Sequence, residues 1–358
     1  MPSLKEIKGR INSISSTLAI TSAMKMVAAA KLQKAQMAIQ NMLPYERRLH
    51  SMLIDLMGAM NISAAASEDG SVRGSGSAER GFDQSGDRLS LSNRHDLAGM
   101  DGAYSLMAQR EVRKVAIVAF ASNSSLCGAF NSNAIREATA VINEYRASGL
   151  RDSDIVVYSV GRKMAEAMRK LGFQSPADFT KMSDSPSYEA ASALAQELLD
   201  GFVSGRFDKV ELVYNHYKST SSQPTIRQTY LPLSLADATA DLQAGKIADS
   251  ASESDTNRVA EPVGAPVVRQ GSPTTEDLIV EPSKEALIAT LLPKVIRLRI
   301  FTTLLDSAAA EHAARTVAMQ LATDNGNDLL QELTLEYNKG RQQKITSEIL
   351  DLVGGSMQ

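Results

Sequence analysis

The side chains with the reactivity for catalysis or metal binding are few and scattered. Cys127, in Ser124-Ser125-Leu126-Cys127-Gly128-Ala129-Phe130-Asn131, follows a strand end, where a nucleophile could sit. No base stands close to it in sequence, so a small buried residue at a strand-to-helix turn is the simpler reading. His50, His95, His216 and His312 fall in four separate segments, which argues against a shared metal ion. The phosphate-cradling patterns G-x-x-x-x-G-K-[ST] and G-x-G-x-x-G after a strand, the zinc pattern H-E-x-x-H and the redox pair C-x-x-C are all missing. One cysteine excludes an internal disulfide and suits a reducing compartment. The expectation is no catalytic residue, no cofactor and no metal, which moves attention from a pocket to the elements themselves.

Those elements are dominated by the two ends of the chain. Leu4, Ile11, Leu18, Lys25, Leu32, Ile39, Glu46, Leu53 and Met60 share one seven-residue register, and Ile7, Ile14, Thr21, Ala28, Ala35, Met42, Leu49 and Leu56 share its partner. Only Thr21, Lys25 and Glu46 break the apolar pattern, and a register sustained that long argues for a coiled coil. Such a helix would run roughly 80 Å. Pro44 lacks a backbone donor and should bend or break it near Leu43.

The back segment starts near Ser283, and Pro293 should divide a short helix from a long one reaching Val353. Ile288, Leu291, Val295, Leu298 and Leu305 keep the seven-residue spacing, with Thr302 as the gap. From Ala308 to Ala322 the stripe is mostly alanine, which lets two backbones approach closely. Leu329, Leu330, Leu333, Ile345, Ile349, Leu350, Leu352 and Val353 restore apolar character, and an exposed apolar end marks an interaction site. Two such terminal helices, brought together by a folded middle, form an antiparallel rod on a globular foot.

The fold class expected is therefore α/β: a long antiparallel coiled coil of the N- and C-terminal helices plus a central α/β domain with a mostly parallel sheet. Residues 1–62 form the first coiled-coil helix, 63–110 a flexible insertion, 111–235 the α/β domain, 236–280 an acidic flexible linker, and 281–358 the second coiled-coil helix. Strands are read at Val112 to Ala121, Ile155 to Val160, Lys209 to Lys218 and Thr225 to Leu235, the last antiparallel to its predecessor across a short polar turn. Helices are read at Ala129 to Ser148, after Gly161 and at Tyr188 to Val203, and the alternation predicts helices on both faces of the sheet. Strand order is left open.

The chain is 43% hydrophobic with a net charge of −3. That charge is unevenly spread. Residues 1–50 hold Lys5, Lys8, Arg10, Lys25, Lys31, Lys34, Arg47 and Arg48 against Glu6 and Glu46. A basic helix can meet nucleic acid, an anionic membrane or an acidic protein surface. Nucleic acid is disfavoured, because Tyr45 is the only aromatic residue there to stack on bases. No run is apolar enough to span a bilayer, and Met1-Pro2-Ser3 leads straight into the helix without a targeting segment.

Three stretches together resemble the gamma subunit of F-type ATP synthases, bacterial type. Near the front is Ile20-Thr21-Ser22-Ala23-Met24-Lys25-Met26-Val27-Ala28-Ala29-Ala30-Lys31-Leu32. Near the back are Glu311-His312-Ala313-Ala314-Arg315 with Ala322-Thr323-Asp324-Asn325, and Tyr337-Asn338-Lys339-Gly340-Arg341-Gln342 with Ile345-Thr346 and Glu348-Ile349. The middle joins through Leu126-Cys127-Gly128-Ala129-Phe130-Asn131. The resemblance implies a central rotor shaft, itself non-catalytic, coupling ion-driven rotation of the membrane ring to ATP synthesis or hydrolysis. Its implied partners are the alpha and beta subunits, the epsilon subunit and the membrane c-ring, with no nucleic acid and no direct small-molecule substrate. The implied location is peripheral, on the cytoplasmic face of the bacterial inner membrane. Met24, Lys25, Arg341, Gln342, Thr346 and Ile349 are the implied rotor–stator contacts, and the apolar tip from Ile345 to Val353 suits a bearing of non-directional contacts.

The chain departs from that family where Ser122-Asn123-Ser124-Ser125 replaces the usual Ser-Asp-Arg-Gly, so no role of that Asp-Arg pair carries over. The insertions at 63–102 and after Leu235 are longer than usual, and a chloroplast-type thiol switch would need two cysteines. A coiled-coil adaptor or scaffold without catalysis stays as the alternative. It explains the rod but not the three motifs.

Overall fold

The computed structural model describes residues 3–68, 106, 110–233 and 284–356. The expectations for a flexible insertion beyond residue 68 and for the acidic linker at 236–280 lie outside the described residues.

Helix α1 is Leu4–Glu68 and helix α6 is Lys284–Ser356, of 65 and 73 residues, and the two pack against each other. Between them come β1 (Val115–Phe120), α2 (Phe130–Ala147), β2 (Ile155–Val160), α3 (Arg162–Lys170), α4 (Thr180–Asp184), α5 (Tyr188–Val203), β3 (Lys209–Asn215) and β4 (Thr225–Leu231). Every described position of the α1 register is buried or half-buried, while Ile20, Met26, Val27 and Met37, which lie off that register, are exposed. The seven-residue pattern therefore chose the packed face correctly.

The expected division at Pro293 does not occur, and Pro44 does not break its helix. Helix α1 runs unbroken through Pro44, and α6 runs unbroken through Pro293. A mid-helix proline costs about 3 kcal/mol or more. At Pro293 the burial of Leu292, Val295 and Ile296 offsets that cost, since each fully buried aliphatic side chain contributes about 1.5–3 kcal/mol. At Pro44 the ring lies on the exposed outer face, and the seam is held on either side by Met42, Leu49 and Leu53. Helix α1 also continues to Glu68, through the first residues of the stretch read as an insertion.

The sheet order is β2-β1-β3-β4, with the first three strands parallel and β4 antiparallel to β3. Alternation along the strands divides the core. Ala116, Val118, Phe120, Tyr158, Val160, Leu212 and Tyr230 face α5, α6 and the end of α1. Val115, Ile117, Ala119, Ile155, Val157 and Val213 face α2 and α3. The parallel strands are covered on both faces, which is why they read as continuous apolar runs. Tyr230 on β4 donates its hydroxyl to the Ile296 carbonyl at 2.9 Å, pinning the sheet to α6.

In such a sheet, ligands take the crevice outside the carboxyl ends of the strands, where the order reverses. Here the order reverses between β1 and β3. Helix α6 occupies that place. Cys127 and Phe130, beyond β1, pack on Ala310, and a Cβ at Gly128 would stand 3.8 Å from the Ala318 Cβ.

Candidate functional site

The rod and its tip form the candidate site, and its geometry begins with register. A Cβ built on Gly340 would meet Leu4 Cδ2 at 3.1 Å, and one on Gly326 would meet Leu18 Cδ2 at 2.6 Å. The hydroxyls of Thr21 and Thr323 lie 3.1 Å apart. From Leu4 to Leu18 and from Gly340 back to Gly326 the step is the same fourteen residues, and Leu18 to Thr21 matches Gly326 back to Thr323. The two helices thus run antiparallel without slipping over this half of the rod. Glycines in α6 admit leucines from α1, so the backbones approach closely and the rod is slim.

Leu4 is the first residue of α1, so α6 beyond Gly340 has lost its partner helix. That single-helix tip continues to Ser356, about 24 Å at 1.5 Å per residue. Arg341, Gln342, Thr346 and Ile349 all lie on it and all are exposed, with Ile349 54% and Leu352 75% accessible. Thr346 bonds back to its own helix, donating to the Gln342 carbonyl at 2.9 Å. Met24 and Lys25 lie elsewhere, half-buried on the paired rod about 30 Å below Leu4. The structure therefore separates the six sequence-derived contact residues into two groups rather than gathering them at one site.

Lower down, where the rod leaves the α/β body, a polar neck forms that sequence reading did not identify. Glu311 is buried and receives Arg315 Nη1 at 2.7 Å, while Arg315 Nη2 donates to the Ser124 hydroxyl at 2.7 Å. Burial pushes the Glu311 carboxyl above its ordinary value, opposed by Arg315 and Lys31. The next residue, His312, is driven down to about 4 by burial, helped by the nearby charges of Arg315 and Lys31. Its Nδ1 is buried without a hydrogen-bond partner among the described residues. The Glu311-His312 pair was visible in sequence as part of a motif, but nothing in the spacing tells that Ser124 would meet it.

One turn away, Asp306 accepts from His216 Nδ1 at 2.6 Å and from the Tyr217 backbone N–H at 2.9 Å. Gln36 Nε2 on α1 donates to the Tyr217 hydroxyl at 2.7 Å. Four residues from α1, α6 and the segment after β3 are thus joined, although 181 positions separate Gln36 from Tyr217. Thr302 on α6 also donates to Glu46 on α1 at 3.0 Å, satisfying the two polar residues that interrupt the register at that level. Among the described residues no cluster of His, Cys, Asp or Glu has metal-binding geometry, and no helix is long and apolar enough to cross a membrane. Cys127 is buried, with the Asn131 side-chain amide 3.1 Å from its sulfur.

The family model described as ATP synthase matches residues 3–357. The ATP synthase gamma chain of Phocaeicola vulgatus is 46% identical over 357 residues, covering 100% of both chains. That of Bacteroides thetaiotaomicron is 44% identical over 358 residues, again covering 100% of each. Among solved structures, a chain of the Euglena gracilis mitochondrial ATP synthase (OSCP/F1/c-ring, rotational state 3) is similar with a TM-score of 0.52 at 18% identity, covering 99% of this chain and 93% of that one. A chain from the rotor of the same enzyme in rotational state 1 matches with a TM-score of 0.50 at 18% identity, covering 96% and 98%. These two likenesses concern the fold.

Proposed function

This chain belongs to the ATP synthase family, matching its gamma chains from end to end, and from that membership we propose that it is the central rotor shaft of an F-type enzyme. The observation that carries the reading is the form of the rod. A slim antiparallel pair stands on an α/β body and ends in a solitary helix with exposed Ile345, Ile349, Leu350 and Leu352. An asymmetric rod turning inside a ring presses on different ring subunits in turn, which couples rotation to nucleotide state through differential contacts. The ring is built of alpha and beta subunits, and the body sits with the epsilon subunit on the membrane c-ring. The similar Euglena chains come from assemblies described with F1, a c-ring and a rotor.

The chain itself is non-catalytic in this reading. Support comes from the crevice at the carboxyl ends of β1 and β3, which holds α6 rather than open space for a substrate. The rod at 1–62 and 281–358 does the work, the body at 111–235 is its mount, and the intervening segments are links. The tip contacts Arg341, Gln342, Thr346 and Ile349 meet the ring at one level, and Met24 and Lys25 act at another. The assembly works at the cytoplasmic face of the bacterial inner membrane.

Affinity purification of the tagged chain from its native host tests this. Alpha and beta subunits should co-purify with ATPase activity, and the isolated chain should have none. Recovery without those subunits, or hydrolysis by the chain alone, would return the scaffold or enzyme readings.

A further inference from the structure

We propose that Asp306, His216, Tyr217 and Gln36 form a collar that locks both helices of the rod in rotational register with the α/β body, so that torque crosses between body and rod at this point. The inference rests on the rotor reading and specifies where within the chain the load passes.

Three features of the neck lead to it. First, the large apolar grip of the body on the rod lies lower, where Ile288, Leu292, Val295, Ile296, Ile300 and Leu304 of α6 pack on the sheet and α5. Helix α1 enters that core only near its far end, through Leu49, Leu53 and Leu56. Second, above Leu305 the apolar contacts of α6 with the body are made by alanine: Ala310 and Ala314 meet Cys127, Phe130 and Tyr217. Short side chains give non-directional contact that resists sliding weakly. Third, beyond the Tyr230–Ile296 bond lower down and the Arg315–Ser124 bond above, one cluster of directional bonds at this level holds both helices at once. Both carboxylate oxygens of Asp306 are engaged, one by the His216 ring and one by the Tyr217 N–H, which fixes the rotation of α6 about its own axis against the end of β3. The Tyr217 hydroxyl then holds Gln36, tying α1 to the same two residues. His216 and Tyr217 directly follow Asn215, the last residue of β3, and Asn215 is itself buried and donates to the Phe130 carbonyl at 3.1 Å. The collar is therefore anchored in the sheet and not on a free loop.

These four are positioning residues. Weakening them should let the rod slip or twist relative to the body, so that ATP is hydrolysed without full transmission of rotation. The test uses the complete membrane-bound enzyme in proteoliposomes, measuring ATPase rate and ATP-driven proton uptake in the same preparation. Tyr217→Phe and Gln36→Ala each delete one half-buried bond, and Asp306→Ala deletes two. The expected result is parental ATPase with proton uptake per ATP lowered about threefold to tenfold, most in Asp306→Ala. Gln36→Glu, which can accept the Tyr217 proton with the bond reversed, should restore uptake. If Asp306→Ala does not assemble, the two single-bond variants decide. Assembled Tyr217→Phe and Gln36→Ala enzymes with parental uptake per ATP would overturn the collar. A parent preparation lacking alpha and beta subunits would instead overturn the rotor reading, leaving the two failures distinct.

Discussion

Gly326 of α6 faces Leu18 of α1 so closely that a Cβ on the glycine would stand 2.6 Å from Leu18 Cδ2 and 3.2 Å from its Cγ. The glycine weakens its own helix by about 1 kcal/mol relative to alanine, and the close seam is what that weakness permits. Gly326→Ala should therefore destabilise the rod in the parent, because overpacking costs about 1–3 kcal/mol against that gain. In a Leu18→Ala background the clash is gone, and the same change should stabilise by about 1 kcal/mol. Thermal unfolding of the helical signal in the four variants checks the reversal of sign. Equal effects in both backgrounds would mean the seam is looser than described.

Glu211 presents a different balance, since this acidic residue is 1% exposed on β3. It accepts from Tyr145 Oη at 2.6 Å, from Arg227 Nε at 2.7 Å and lies 2.7 Å from Lys209 Nζ. Burial alone would raise its pKa, but Arg227, Lys209 and Tyr145 together hold it below the ordinary value. Glu211→Ala takes the acceptor from Lys209 and the Tyr145 hydroxyl and leaves Arg227 with its pair to Glu144. A loss of about 1–3 kcal/mol in denaturant unfolding is expected, with Glu211→Gln intermediate.

The pH dependence should contain two opposed histidines. His216 is raised above its ordinary 6.5 by its bond to Asp306, against burial and the neighbouring Lys218. Its contribution is full below the unfolded value and is lost as pH rises through the higher folded value, so Asp306→Asn should remove a stability loss seen above pH 6.5. His312 is depressed to about 4 by burial, then by Arg315 and Lys31. Its contribution is full above 6.5 and is lost as pH falls toward 4, so His312→Gln should flatten that acid limb. Melting temperatures across pH 4 to 8.5 separate the two, because each variant should alter one limb only.

Met24 lies three residues beyond Thr21, and the register carries it opposite Gln320, whose side-chain amide is held by Asp324 at 2.8 and 2.9 Å. Met24→Lys places a cation beside that acid on the paired rod. Folding and assembly should persist, because the site is half-buried and the new charge can reach solvent. Proton pumping per ATP should fall more than melting temperature does. A variant that pumps like the parent would show that contacts at this level do not bear on coupling.

The seven-residue register from Leu4 to Leu56 determined the packed face of α1 by itself, because a side-chain stripe is a local periodicity. The apolar runs at Ile155–Val160 and Lys209–Asn215 likewise declared buried strands, and the terminal motifs declared the family. That neither Pro44 nor Pro293 breaks its helix was not legible locally, since proline's cost is fixed by the backbone while the burial that offsets it comes from distant partners. Strand order, the pairing of Gly326 with Leu18, and the meeting of Gln36, Tyr217 and Asp306 were decided only in three dimensions. The physical reason is that each joins segments far apart in the chain, and a hydrogen bond or a close backbone approach leaves no periodic trace in either segment before folding brings them together.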